Sequence, residues 1–346
     1  GCVITAADGT LLGQGHTQRA GGPHAEIMAL RDAAERGQSV QGATAWVTLE
    51  PCAHQGRTGP CCDALATAGI GRVVAAMTDP NPQVAGQGMA RLAAAGVLTE
   101  TLAPDSDIAL QARELNVGFF SRMERGLPWV RLKVAASLDG QTALANGQSQ
   151  WITGPQARAD GHAWRARACA ILTGIGTVLE DDPQLNVRGL EVPRQPHLVV
   201  VDSRLDMPLT AKLLDTQGAG EHARQIWVYT ATSDQADKRA ALTARGVTVI
   251  DCPGPGGKVD LAAMLRDLAQ REINELHVEA GHKLNGSFIR EGLVDEFLVY
   301  LAPQLLGPGQ GMAHLPALTA LSDSVKLAFH DAQRIGPDLR LLLRRA

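Results

Sequence analysis

The sequence predicts an α/β protein of two domains, and three observations carry that prediction. Strand-like and helix-like segments alternate up to residue 95 and alternate again after residue 126. One long amphipathic stretch, Asp105 to Arg125, separates the two series and ends at Gly126. The length, 346 residues, is too great for one ordinary core and suits two. The expected boundary therefore divides residues 1–125 from residues 126–346.

In the first series, Cys2 to Ala6 and Thr10 to Gln14 flank Asp8-Gly9, a hairpin turn signal. His24 to Ala34 is expected to be helical, with Pro23 at a start that tolerates proline and Ile27, Leu30 and Ala34 on one face. Thr44 to Leu49 reads as a strand, Cys61 to Thr67 as a helix between Pro60 and Gly69, Arg72 to Met77 as a strand and Gly86 to Ala95 as a helix. Because the chain opens at Gly1 within strand-like sequence, an N-terminal segment is expected to precede it.

Pro128 opens the second series, with a strand from Trp129 to Ala135. Further strands are expected at Ala170 to Thr173, Leu198 to Asp202, Gln225 to Tyr229, Val247 to Ile250, Glu275 to Glu279 and Glu296 to Leu301. Helices are expected at Pro155 to Arg167, Ser233 to Arg245, Leu261 to Arg271 and Lys283 to Glu291. Pro253 to Gly257 is a loop rich in glycine and proline.

Composition removes several classes of function. Apolar residues are 45% and charged residues 20% of the chain, the balance of a globular protein and not of a disordered one. The longest apolar runs are too short to cross a bilayer, so no membrane partner is expected. The net charge is −4 and aromatics are 3%, which gives nucleic acid neither an electrostatic footing nor stacking platforms. Six cysteines without regular spacing are no disulfide framework, and no signal peptide is seen, so a reducing, cytoplasmic setting is expected. Three of the six, Cys52, Cys61 and Cys62, crowd into eleven residues, which points to a metal site or reactive thiols.

His24-Ala25-Glu26 opens a helix, Cys52 follows a strand, and Cys61 opens the next helix. One imidazole and two thiolates make a three-ligand zinc site with a fourth position open to water. Helix N-termini stabilise thiolates, and an open-site zinc brings the pKa of water toward neutrality. Glu26, two residues from His24, is free to shuttle a proton from water to a leaving amine. That division of labour is the one zinc nucleobase deaminases use. Here eight residues separate the cysteines, where the common signature has two. The ordinary alternative is a buried histidine beside unrelated thiols. The helix-opening His-Ala-Glu together with Thr-Leu-Glu-Pro-Cys favours the metal.

In the second half, Leu132 to Gly140, Ser149 to Thr153, Gly174-Ile175-Gly176-Thr177, Asp181-Asp182-Pro183 and Val278-Glu279-Ala280-Gly281 are each weak signals alone. Gly174 and Gly176 lack the third glycine of a dinucleotide fingerprint. The turn from Gly281 to Ser287 either offers backbone N–H groups to a cofactor phosphate or is simply a tight turn.

Taken together, His24-Ala25-Glu26, the run Glu50 to Cys61 and Asp79-Pro80-Asn81-Pro82 resemble the deaminase half of the bifunctional deaminase–reductase family of riboflavin biosynthesis, the RibD family. The second-half segments resemble its reductase half, in the same order, so the resemblance covers nearly the whole chain. It implies a cytidine-deaminase-like α/β/α domain followed by a dihydrofolate-reductase-like α/β domain. It implies zinc on His24, Cys52 and Cys61, Glu26 as the catalytic proton shuttle, and Cys62 as a bystander. It further implies that Ala135, Trp151, Thr177, Asp181, Ser203, Gly281, His282, Lys283, Leu284, Asn285, Gly286 and Ser287 contact NADPH. Ser149, Arg165, Leu185, Arg188 and Glu279 would contact the ribose phosphate of the substrate.

The implied substrate is 2,5-diamino-6-ribosylamino-4(3H)-pyrimidinone 5′-phosphate, deaminated first and then reduced from ribosyl to ribityl. The expected partner is thus a small phosphoribosyl pyrimidine, and the expected assembly a homo-oligomer. His54 and Arg57, in the inter-cysteine loop, either hold a substrate phosphate or are a solvated loop. Asp79 and Asn81 either line the pocket mouth or form a rigid turn. Two competing readings are a reductase with an inactive deaminase domain and a zinc-stabilised nucleotide-binding module. The family carries a helix and a Ser-Pro-Asn-Pro-type segment ahead of the position matching Gly1.

Overall fold

The computed structural model describes residues 1–346 apart from 20, 55–58, 83 and 217–222. The chain divides into two compact units, Gly1–Arg125 and Gly126–Ala346. The first contains β1 (Cys2–Thr5), β2 (Leu11–Gly15), α1 (Ala25–Glu35), β3 (Thr44–Val47), α2 (Cys61–Thr67), β4 (Arg72–Ala75), α3 (Gln87–Ala94), β5 (Leu98–Thr101), α4 (Asp107–Leu115) and α5 (Val117–Arg125). Its sheet has the order β2-β1-β3-β4-β5. The hairpin β1-β2 and the pair β1-β3 are antiparallel, whereas β3-β4 and β4-β5 are parallel.

One face of this sheet presents Cys2, Ile4, Ala45, Val47, Val73 and Ala75 to a core that α1, α2 and α3 complete with Ala25, Ala29, Leu65 and Leu92. The long helix expected from Asp105 to Arg125 is two helices. Asn116 interrupts them at φ −113° and ψ 17°, and its side-chain amide donates to Ala112 O at 3.0 Å. A short polar side chain that bonds the preceding turn competes with the helical ladder, and here it ends it.

The second unit contains β6 (Trp129–Ser137), β7 (Gln141–Leu144), α6 (Pro155–Arg167), β8 (Ala170–Gly174), α7 (Ile175–Asp181), β9 (His197–Val201), β10 (Ile226–Thr230), α8 (Ala236–Ala244), β11 (Val247–Asp251), α9 (Leu261–Gln270), β12 (Glu275–Val278), α10 (His282–Arg290), β13 (Glu296–Ala302), β14 (Gly309–Gly311), β15 (Leu327–Ile335) and β16 (Asp338–Arg345). Nine strands form one sheet in the order β11-β10-β9-β8-β12-β6-β13-β16-β15, and β14 pairs with β7 apart from it. The run from β11 to β13 is parallel throughout, and β16 and β15 join it antiparallel.

The parallel strands are apolar on both faces, as burial under helices on both sides requires. Ala170, Leu172, Val199 and Val201 face Leu261, Met264, Leu265, Leu268 and Phe288 of α9 and α10. Ile171, Leu198, Val200 and Val228 face the other way, toward Val178 of α7 and Leu242 of α8. Among the described residues, no helix is long and apolar enough to cross a membrane.

Two histidines make this unit sensitive to acid. His162 and His197 are both held down to about 4. Burial is the main cause for each, followed by Arg165 and Arg188 beside His162 and by Arg194 and Arg224 beside His197. The unfolded chain takes up these two protons near the ordinary value of 6.5, where the fold does not. Stability is then complete above that value and is lost as pH falls toward 4. Urea unfolding of the second unit is expected to have a lower midpoint at about pH 5 than at about pH 7.5. Equal midpoints would contradict the assignment.

Candidate functional site

The first constellation is positioned by a seam of small residues. Ala25, Ala29 and Ala33 repeat every fourth position of α1 and are buried against β2. A side chain at Gly15 would sit 2.5 Å from Ala25 O, and one at Gly13 2.3 Å from Ala29 O. Helix and strand therefore touch backbone to backbone, which fixes the start of α1. His24 is its N-cap in extended conformation, and Glu26 lies in its first turn, 7% exposed.

Cys52 and Cys61 reach the same point from other elements. Cys61 is the first residue of α2, and its N–H donates to Cys52 Sγ at 3.4 Å. His24 Nδ1 lies 3.5 Å from Cys52 Sγ and 3.4 Å from Cys61 Sγ. All three donor atoms lie within 4.8 Å of one another, the one such group among the described residues. Zn–N and Zn–S bonds of about 2.0 and 2.3 Å at a tetrahedral angle put ligands about 3.5 Å apart. The donor set and its spacing fit zinc.

The electrostatics agree. The Cys61 thiol, then His24 and the Cys61 N–H, hold Cys52 well below the ordinary thiol range against the effect of burial. Cys61 is pushed up, by Cys52 and then by burial, so the two thiols are electrostatically linked. Burial raises Glu26 above the usual carboxylate range, which suits a group that takes a proton and returns it.

Glu50, quoted in the sequence motif but given no role there, shapes the loops around these sulfurs. It is 3% exposed, and its carboxylate accepts N–H bonds from Asp79 (3.2 Å), Gly86 (2.8 Å), Gly88 (2.9 Å) and Met89 (3.2 Å). Gly88 lies so close to the segment before Cys52 that a Cβ there would fall 1.8 Å from Pro51 O. Glu50→Ala leaves those N–H groups without their acceptor and is expected to destabilise the first unit by about 3 kcal/mol or more. A urea titration giving less than about 1 kcal/mol would show that water replaces the carboxylate readily.

Asp79 is buried and accepts from Asn81 N at 2.8 Å, the geometry of a rigid turn. His54 is exposed. Arg57 lies outside the described residues. Cys62 is 1% exposed in the apolar core, and burial followed by Asp63 pushes its thiol up to about 11. A cavity of about 750 Å³ is lined by residues of β1, α1, β3, β4 and α4, among them Val3, Arg31, Trp46, Val74 and Ile108, and by none of the three metal-ligand candidates.

In the second unit, Glu279 follows β12 and is gripped by the Arg165 guanidinium, Nε to Oε1 at 2.5 Å and Nη2 to Oε2 at 2.8 Å. Lys133 Nζ stands 3.9 Å from Glu279 Oε2, and His277 Nε2 3.3 Å from Oε1. Burial would raise the Glu279 pKa, but Arg165, then Lys133 and His277, hold it well below the usual range. Arg165 Nη1 also donates to Asn186 O at 3.0 Å, and Arg188 Nη1 to Asn186 Oδ1 at 2.6 Å. The fold thus brings together Arg165, Arg188 and Glu279 and adds Lys133, which the sequence reading quoted without a role. Leu185 lies in the same segment, 4% exposed. Ser149 shares no hydrogen bond with this group.

The remaining predicted residues are divided in their surroundings. Gly281 caps α10, whose first turn has no side-chain cap, and its Cβ position lies 3.8 Å from Thr177 Oγ1. Lys283 is exposed, His282 and Ser287 are partly buried, and Asp181 is exposed. Leu284 packs on the core, Asn285 donates to Met312 O at 3.0 Å, and a Cβ on Gly286 would fall 2.1 Å from His314 O. The inner face of α10 is therefore committed to packing. Trp151 is 68% exposed, with Arg158 4.6 Å above its ring. Ser203 Oγ accepts from Val259 N at 3.2 Å, and Ala135 is partly buried beside Tyr300.

Residues 128–341 match the family described as the RibD C-terminal domain, and residues 1–77 match the cytidine and deoxycytidylate deaminase zinc-binding region. The riboflavin biosynthesis protein RibD of Escherichia coli K12 is 44% identical over 350 residues, 99% of this chain and 92% of that protein. Its counterpart from Aquifex aeolicus VF5 is 37% identical over 343 residues, 99% of this chain and 91% of that one. Among solved structures, Acinetobacter baumannii RibD (form 1) superposes with a TM-score of 0.87 at 41% identity, over 100% of this chain and 91% of that one.

Proposed function

The chain belongs to the RibD family, bifunctional enzymes of riboflavin biosynthesis that join a zinc-binding deaminase domain to a reductase domain, and on that premise we propose how its own residues divide the work. Residues 1–125 are the deaminase and residues 126–346 the reductase. The substrate is the 2,5-diamino-6-ribosylamino-4(3H)-pyrimidinone 5′-phosphate named above. The observation that supports this most is the meeting of His24 Nδ1 with two cysteine sulfurs beside a buried, proton-affine Glu26.

His24, Cys52 and Cys61 would hold the zinc, which would supply the Lewis acidity that makes water a nucleophile near neutral pH. Glu26 takes the proton as the water oxygen bonds to the ring carbon, and delivers it to the amine as the carbon–nitrogen bond breaks and ammonia leaves. Bound in the reductase, NADPH would supply a hydride for the anomeric carbon. The open first turn of α10, from Gly281, with Thr177 alongside, suits its phosphates. Arg188 and the Arg165–Glu279 pair hold the ribose phosphate. As the ring carbon–oxygen bond breaks, the oxygen needs a proton. We assign that proton to Lys133, which stands 3.9 Å from Glu279 and whose pKa burial lowers. A homo-oligomer fits the exposure of Leu321 and Phe329.

The test is sequential. The purified chain with this substrate is expected to release ammonia without NADPH and to oxidise NADPH only afterwards. NADPH oxidation seen solely with pre-deaminated substrate contradicts the deaminase assignment.

A further inference from the structure

The segment that carries Leu185 and Arg188 is irregular, and its backbone is held by side chains instead of by a strand or a helix. Arg224 Nη2 donates to Leu185 O at 2.9 Å, and Arg165 Nη1 donates to Asn186 O at 3.0 Å. Gln195 binds both polar groups of Val187, accepting its N–H at 2.8 Å and donating to its carbonyl at 3.1 Å. His162 Nδ1 accepts the Arg188 N–H at 3.2 Å. Four consecutive residues thus each have a backbone group bound by a different side chain. Two of those side chains stand on α6, and two lie just ahead of β9 and β10.

Any packed irregular segment must satisfy its backbone groups, but turns or water ordinarily do so. Here two features exceed that need. Leu185 is held at φ +47°, in the left-handed region that a branched side chain disfavours. Arg224 is 2% exposed, and its other bonds go to Pro196 O at 2.7 Å and Thr216 Oγ1 at 3.0 Å, all neutral acceptors. No carboxylate pairs with it among the described residues, and burial lowers its pKa to about 10. A guanidinium so desolvated is costly to bury, and three of its N–H donors are directed at backbone and hydroxyl oxygens, one of them the Leu185 carbonyl.

We propose that Arg224 and Gln195 are positioning residues of the reductase, which preset the backbone of residues 185–188 so that Leu185 and the Arg188 guanidinium meet the substrate's ribose phosphate without rearrangement. The inference rests on the assignment of Leu185 and Arg188 to that substrate. Because Arg165 bonds both Asn186 O and Glu279, the segment and the Glu279 carboxylate are set as one unit.

The test uses the full chain with its zinc, deaminated substrate and NADPH. Gln195→Leu removes both bonds to Val187 at a half-buried position that tolerates leucine, and Arg224→Met removes the buried cation at similar size. Each is expected to raise the KM for substrate about 10-fold or more, with kcat at saturation and NADPH affinity within about 3-fold. Hydrogen exchange at the Val187 and Arg188 amides is expected to quicken in Gln195→Leu. A folded Gln195→Leu protein with quickened exchange and unchanged KM overturns the proposal. So does a parallel loss of KM, kcat and NADPH affinity, the mark of general loosening. If the parent chain itself fails to oxidise NADPH with this substrate, the functional reading falls and takes the inference with it. That outcome is told apart by the parent assay alone.

Discussion

Glu26→Gln is expected to slow ammonia release about 10²- to 10⁴-fold while the chain keeps its zinc and its NADPH-dependent activity on pre-deaminated substrate. The size follows from the isolation of Glu26. It is 7% exposed in the first turn of α1, and its carboxyl interacts with His24, Cys52 and Cys61. Water attacking a ring carbon must lose a proton, and the departing amine must gain one. Glutamine matches the shape of glutamate, but its amide has no carboxyl proton to take up and return. Metal content should not change, because His24 Nδ1 and the two sulfurs form the donor set without Glu26. A loss of zinc together with activity would instead make Glu26 a ligand. Retained activity in Glu26→Gln would leave the proton transfer without a carrier in this structure.

Arg131→Ala is expected to be the most damaging single change to the second unit, at about 3–5 kcal/mol. Arg131 is 1% exposed on β6, and Glu296 on β13 is equally buried. Its Nε donates to Glu296 Oε1, and its Nη1 donates to Glu275 Oε2 at 2.9 Å. The Trp164 ring lies 4.5 Å from the guanidinium carbon. Among the described residues, alanine would leave Glu296 with Arg344, at 2.7 Å, and Glu275 with Arg167, at 2.9 Å. It would also open a space beneath Trp164. Typical domains are stable by about 5–15 kcal/mol, so the variant should melt far below the parent. In a double-mutant cycle with Glu296→Gln, the two losses should sum to clearly more than the loss in the double variant. Simple additivity would mean that the pair is independent, against the geometry.

Much of this was legible before the fold was known, and the exceptions have physical causes. His24, Glu26, Cys52 and Cys61 announced themselves because metal chemistry needs those side-chain types at the starts of helices and just past a strand. The parallel strands around Leu172, Val200 and Val228 read clearly because they are apolar on both faces. β5 and most of β15 are exposed along their length, so they carried no apolar stripe to recognise. The split of the long helix at Asn116 turned on one side-chain bond to Ala112, which periodicity does not record. Within the sites, Glu50 had no role in the sequence reading and Gln195 no mention, because both act on distant backbone groups that only the fold brings within reach.

The proposed deaminase depends on one imidazole and two sulfurs holding an ion. Metal analysis of the purified full chain tests it most directly, alongside Cys52→Ala and Cys61→Ala variants of matched folding. About one zinc per chain is expected in the parent and none in either variant, with ammonia release lost in step and NADPH oxidation on pre-deaminated substrate preserved. A folded parent that deaminates without metal, or a Cys61→Ala chain that keeps both its zinc and its deaminase activity, would contradict it.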